Sequence, residues 1–144
     1  MKKIAKCFPL SILTLSLPMV AMVLAPSRPV RAQNQDVQVV EITAKKYEYS
    51  RSPVHVKVGT KVQLKITATD HDHGFKISTV PDGAVPNGAD GLIFSAAQDC
   101  WQLKKGETTT IEFLARTPGI YTFKCCHTCG FGHKNMKSQI IVEP

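Results

Sequence analysis

Residues 125 to 136 read CCHTCGFGHKNM, and within them Cys125, Cys129, His133 and Met136 are spaced by four, four and three residues. Thiols, an imidazole and a thioether on so short a stretch invite three readings: a disulfide knot, a zinc site, or a cage for a softer metal. A bridge among Cys125, Cys126 and Cys129 would close a very short loop and so remove little entropy from the unfolded chain, which makes it a poor staple. Zinc prefers Cys and His ligands and does not recruit methionine. A thioether is a soft donor suited to copper, so this donor set points to copper. Gly130 and Gly132 let the loop turn tightly and bring its backbone close to a metal.

A second group of polar side chains, Asp70-His71-Asp72-His73-Gly74-Phe75, lies about fifty residues upstream. Both groups stand at strand ends, and in a β-sandwich the loops at one end of the two sheets gather in space. A histidine from the end of one strand can then meet ligands on a hairpin loop before the last strand.

The strands that must position these groups are visible as period-two patterns. Residues 37–44 are rich in β-branched side chains. Val54, Val56 and Val58 fall on one face, as do Val62, Leu64 and Ile66 in the next run. Short runs follow at 75–77, 108–114 (with Ile111 and Phe113 inward), 120–123 and 138–142. Gly59, Gly106 and Pro118-Gly119 punctuate them as turns, and the pattern as a whole predicts an all-β sandwich. Between Pro81 and Trp101, Pro81, Gly83, Pro86, Gly88 and Gly91 interrupt any regular element. A loop of this length in a small domain is functional or packs as an ordered flap. Leu92, Ile93 and Phe94 are the residues expected to pin it.

The chain has 144 residues and a formal charge of +7. Its first part carries Lys2, Lys3 and Lys6, an apolar run from Phe8 to Ala25, and Val30-Arg31-Ala32 as a small-residue cleavage site. That is the layout of an export signal, with an uncleaved membrane anchor as the alternative. Cleavage after Ala32 would make 1–32 the leader and 33–144 the functional domain. Five of the 18 basic residues and none of the 11 acidic ones lie in the leader, so the remaining domain is near +2. A basic patch for nucleic acid is therefore not indicated. Export places the domain in a periplasmic or other extracytoplasmic compartment, where disulfides form. A membrane enters only if the leader stays attached.

Cys-x-x-x-Cys-Gly-x-x-His-x-x-Met, preceded upstream by Asp-x-x-His, resembles the binuclear CuA site in the cupredoxin domains of cytochrome c oxidase subunit II and nitrous-oxide reductase. The segment from Asp70 to Phe75 is similar to the nitrous-oxide reductase version, where the His before Gly-Phe is the ligand. The resemblance implies a cupredoxin-like Greek-key β-sandwich and electron transfer rather than catalysis by the chain alone. It implies two coppers per chain, bridged by Cys125 and Cys129. His73 would bind one copper and His133 the other, with Met136 a weak ligand on the His73 side. The residue at 127, usually Glu in the family and here His127, would lend its backbone carbonyl. A cytochrome or a terminal reductase or oxidase is the implied redox partner. A mononuclear type-1 site using His73, one cysteine, His133 and Met136, or a copper-sequestering or delivery role, are the alternatives; the second cysteine argues against the first.

Some residues lie outside that pattern. Cys126 and His127 stand where the family usually places neither. Cys100 and Cys126 are explained by a disulfide with each other, or as free thiols. His71 reads as solvated or as a neighbour of the ligands, His55 as surface, and Lys104 and Lys105 as a solvated turn or a face toward an acidic partner. Phe75, Phe131 and Trp101 are the residues expected to keep water from the site.

Overall fold

Residues 61–68, KVQLKITA, show how the fold is built. Val62, Leu64, Ile66 and Ala68 point inward and are fully buried, while the residues between them face outward. β-Branched and apolar side chains at every second position favour a pleated, half-buried strand. A computed structural model describes residues 37–85 and 90–144. The export segment expected at 1–32 lies outside the described residues, as do Pro86 and Gly88 of the irregular stretch.

Among the described residues, ten strands make two sheets. In chain order they are β1 (Val37–Lys45), β2 (Glu48–Tyr49), β3 (Val54–Lys57), β4 (Lys61–Ala68), β5 (His73–Ile77), β6 (Leu92–Phe94), β7 (Trp101–Leu103), β8 (Thr108–Ala115), β9 (Gly119–Lys124) and β10 (Lys137–Glu143). The first sheet has the order β2-β1-β4-β8-β6 and the second β3-β10-β9-β5-β7. From β2 to β9 every successive strand lies in the other sheet, so the chain weaves the sheets together. β1 runs parallel to β4 from Val37↔Lys61 to Ala44↔Ala68, and β3 runs parallel to β10. The expected cupredoxin-like β-sandwich is the fold observed.

Tyr121, Phe75, Phe123, Leu64, Ile66 and Ile140 fill the space between the sheets. Burying each such side chain stabilises the fold by about 1.5–3 kcal/mol. Aromatic rings concentrate beneath the strand-end loops: Phe75 and Phe123 are 4.9 Å apart, Tyr49 and Phe123 5.0 Å, and Phe75 and Trp101 5.8 Å.

Three details differ from the sequence reading. Val58 does not share the buried face of Val54 and Val56; it lies past the end of β3, half exposed, where Gly59 turns the chain at φ +83°. In the irregular stretch Leu92 is buried, but Ile93 faces out because residues 92–94 form an edge strand with alternating sides. The stretch is held also by Asp82, whose carboxylate accepts from the Thr122 N–H and hydroxyl on β9. β2 and β7 are short strands that no alternation announced.

Candidate metal centre

β5 starts at His73, and its pairing with β7, His73 opposite Leu103, fixes the backbone there. The His73 side chain is wholly buried. Its Nε2 lies 2.8 Å from Asp70 Oδ1, while its Nδ1 has no hydrogen-bond partner. A carboxylate acceptor on Nε2 selects the tautomer with hydrogen there and leaves the Nδ1 lone pair free. Asp70 also accepts from the N–H groups of Lys46 and His71, each at 2.9 Å. Desolvation works to raise the Asp70 carboxyl, but the bonds from His73, Lys46 and His71 outweigh it and hold the group well below the usual carboxylate range. Burial in turn lowers the pKa of His73, against the pull of Asp70, so the ring is kept neutral. A neutral buried imidazole with an unpartnered nitrogen is costly unless something binds there.

The hairpin loop from β9 to β10 supplies the other donors. Its base is closed by the Cys125 N–H, which donates to the Met136 carbonyl at 2.9 Å. Cys125 and Cys129 are buried free thiols with their sulfurs 3.9 Å apart. Cys125 Sγ accepts from the Gly74 N–H at 3.4 Å and donates to the His127 carbonyl at 3.2 Å. Cys129 Sγ lies 3.8 Å from His133 Nδ1, at the start of a short 3-10 turn, His133–Asn135. Met136 ends the loop and is fully buried. Burial pushes the Cys129 thiol up to about 11, and the adjacent Cys125 adds to the shift. The same thiols and, first of all, burial push Tyr49 above the ordinary tyrosine range; its neutral hydroxyl donates to the Gly74 carbonyl at 2.6 Å.

The ligand atoms of Cys125, Cys129 and His133 all lie within 4.8 Å of one another. So do those of His71, His73 and Cys129. The structure thus brings His73, Cys125, Cys129, His133 and Met136 to one end of the sandwich, with the His127 carbonyl against Cys125. Soft sulfurs, imidazoles and the orphaned Nδ1 of His73 fit a copper ion.

Cys100 and Cys126 form a disulfide with their Cα atoms 6.0 Å apart, which settles the open alternative of free thiols. It packs on Gly74: a Cβ there would meet Cys126 Sγ at 2.6 Å and Cys100 Sγ at 3.0 Å. Phe131, expected to shield the site, instead stands fully exposed at the loop tip. Its neighbours Gly130 and Gly132 lie under the ring of Tyr47, where a Cβ at Gly132 would come within 2.2 Å of a ring carbon. Phe75 and Trp101 are buried as expected. The turn expected to be solvated is tied to Asp72, whose carboxylate meets Lys104 Nζ at 2.7 Å and the Lys105 N–H at 2.9 Å. His55 is a surface residue paired with Glu143 at 2.8 Å. Tyr47 and Tyr49 escaped the sequence reading, since nothing in local spacing ties them to a loop some eighty residues on.

Fold and site together define a two-sheet β-sandwich with a loop of soft donor side chains at one end. The chain belongs to the cupredoxin-like family: the description "Cupredoxin-like domain" matches residues 14–142. It is 26% identical over 118 residues to a cytochrome c oxidase subunit 2 of Thermus thermophilus, covering 82% of this chain and 75% of that one. It is 28% identical over 108 residues to a nitrous-oxide reductase of Ralstonia nicotianae, covering 72% of this chain and only 14% of the reductase. Among solved structures, auracyanin A, a "blue" copper protein of Chloroflexus aurantiacus, aligns with a TM-score of 0.55 at 15% identity, covering 75% of this chain and all of the other. The periplasmic domain of cytochrome oxidase subunit II of Bradyrhizobium japonicum aligns at 0.52 and 17%, covering 74% and 83%. These two structural likenesses speak to the fold.

Proposed function

We propose that this chain is an exported cupredoxin that carries electrons through a CuA-like binuclear copper centre. The observation that carries the reading is the pair of buried free thiols, Cys125 and Cys129, 3.9 Å apart and flanked by the ligand atoms of His73 and His133. A mononuclear type-1 centre needs one thiolate, and it would leave the second thiol buried without a purpose. Cys125 and Cys129 would bridge the two coppers. His73 would hold one through Nδ1 and His133 the other, with Met136 a weak ligand on the His73 side and the His127 carbonyl completing the set.

Copper supplies a one-electron couple when bound. The chain's part is to hold the ligands so that little rearranges as charge changes. Asp70 fixes the His73 ring, the Gly74 N–H bonds Cys125 Sγ, and Phe75 and Trp101 exclude water. Such outer contacts orient ligands and tune the metal. In this reading residues 1–32 direct export and 33–144 form the copper domain, working outside the cytoplasm where the Cys100–Cys126 disulfide persists. The chain is a carrier rather than an enzyme. Its partner is a cytochrome or a terminal oxidase or reductase, as the relatives suggest. The exposed Phe131 gives that partner an apolar contact on the ligand loop itself.

Copper analysis and electron paramagnetic resonance on the purified protein test this. Two coppers per chain and a purple mixed-valence species with hyperfine from two equivalent nuclei are expected. A single copper with a blue, single-thiolate spectrum would overturn the binuclear centre, and copper that leaves readily to a chelator would favour delivery over electron transfer. Cys126→Ser should leave the visible bands nearly intact, because Cys126 is occupied by Cys100.

A further inference from the structure

Two sets of ligand atoms converge at this end of the sandwich, and they share Cys129. One is Cys125, Cys129 and His133; the other is His71, His73 and Cys129. His71 belongs to no spacing pattern in the hairpin loop. It sits in the turn between β4 and β5, with its ring centroid 4.1 Å from that of His73. Its side chain is 28% exposed, yet neither ring nitrogen has a hydrogen-bond partner or reaches solvent. Nδ1 lies 2.9 Å from Asp70 Oδ1 but lacks the alignment of a hydrogen bond. The carbon edge of the ring therefore faces water while its nitrogens face inward. Together with His73 Nδ1, three buried imidazole nitrogens stand without partners next to a thiol.

Two imidazoles and one sulfur form a three-donor set of the kind that suits copper. A zinc site would ask for a fourth ligand. His73 and Cys129 are buried, so His71 is the member of this three-donor set that borders solvent. We propose that His71, His73 and Cys129 form a mononuclear receiving site for monovalent copper, filled before the binuclear centre is complete. Resting on the copper reading above, the proposal adds a ligand and an order of filling to it. No oxidation state changes at this step. The copper leaves its donor's ligands, a copper–sulfur bond forms at Cys129, and the Cys129 thiol proton passes to water. The set Cys125, Cys129 and His133 remains for the second ion.

The test uses metal-free, full-length protein under argon, titrated with Cu(I) buffered by bathocuproine disulfonate. His71→Val should weaken binding of the first equivalent by at least about tenfold, the scale seen when a group supporting a metal site is lost. His133→Val should leave the first equivalent within about twofold. X-ray absorption on the one-copper protein should show two imidazoles and one sulfur in the wild type and a single imidazole in His71→Val. The two-copper spectrum of His71→Val should match wild type. His71→Asn, read in parallel, keeps the result meaningful if the valine variant folds poorly. Equal first-equivalent affinity in wild type and His71→Val overturns the receiving site, as does an equal loss in His133→Val. Wild type that takes one copper instead of two overturns the binuclear reading, and the first-equivalent comparison still decides the role of His71.

Discussion

His73 and His133 both have ring nitrogens close to the Cys129 sulfur, but one comes from a sheet and the other from a loop. His73 opens β5, is fully buried, and has its ring fixed by Asp70 at 2.8 Å. His133 opens a 3-10 turn that has no side-chain cap, and it is only half buried. Its N–H bonds the Gly130 carbonyl at 3.1 Å, and the loop leans on the ring of Tyr47. The sheet arm is thus built by residues distant in sequence, such as Leu103 opposite His73 and Lys46 on Asp70. The loop arm is built by spacing within twelve residues. His73 is held within the β5–β7 ladder, whereas His133 rests on turn hydrogen bonds of its own loop.

The strongest way to break this picture is to remove the sulfur both arms share. Cys129→Ser should reduce copper from two per chain to one or none and abolish the thiolate charge-transfer bands, as read by metal analysis and visible spectroscopy. If two coppers remain, the arms do not meet at Cys129.

Asp70→Asn probes the sheet arm alone. It should weaken copper binding about 10–100-fold in competition with a Cu(I) chelator, because a neutral amide, able to donate as well as accept, replaces the carboxylate that fixes the His73 tautomer. The acid limb of stability changes too. Asp70 and His73 both have folded pKa values below their unfolded ones, so the unfolded chain binds more protons. Their contribution is present above the unfolded values, near 3.9 and 6.5, and is lost as pH falls through the folded ones. Cys129, raised to about 11, works at the other end: its contribution is present below its ordinary value near 9 and lost as pH rises through 11. Metal-free protein unfolded in urea under argon should show both limbs. Asp70→Asn should flatten the part that Asp70 contributes and leave the alkaline limb in place.

Two glycines sharpen the contrast further. Gly74→Ala forces a Cβ against the disulfide and the His127 N–H, a rigid surround, and should cost about 1–3 kcal/mol. Gly132→Ala meets only the half-exposed Tyr47 ring, which can swing away, and should cost less. A larger loss for Gly132→Ala in urea denaturation would reverse the assignment of which arm is rigid.

The smallest effect is expected at the loop tip. Phe131→Ala should change stability by no more than about 0.5 kcal/mol, since the ring is fully exposed. Electron exchange with a cytochrome or oxidase partner should slow in the same variant, as measured by stopped flow. An unchanged rate would move the docking surface elsewhere.

The two arms also explain what could be read from the sequence. The long strands announced themselves because apolar residues alternate along them, as at Val62, Leu64 and Ile66. The ligand loop announced itself because its donors are neighbours along the chain. β2, two residues long, and β7, three residues long, carry too few positions for any period to show. Tyr47 and Tyr49 reach the site through the fold, so no spacing rule could nominate them. Phe131 was expected to keep water from the site because it sits within the ligand loop; it stands fully exposed instead, next to the Gly130 turn with φ +119°. His71 was read as a bystander because a lone histidine beside a ligand carries no pattern. Only its distance to Cys129 and His73 gives it a role.

The disulfide has one more consequence. Cys100 and Cys126 close a covalent ring that contains β7, β8 and β9, one strand from the first sheet and two from the second. A protease that cut one peptide bond inside the ring, at the exposed turn around Lys105 for instance, would not release a fragment. The nicked chain would keep its mass but for one added water, and would part into two pieces only when a reductant opened the sulfur bridge.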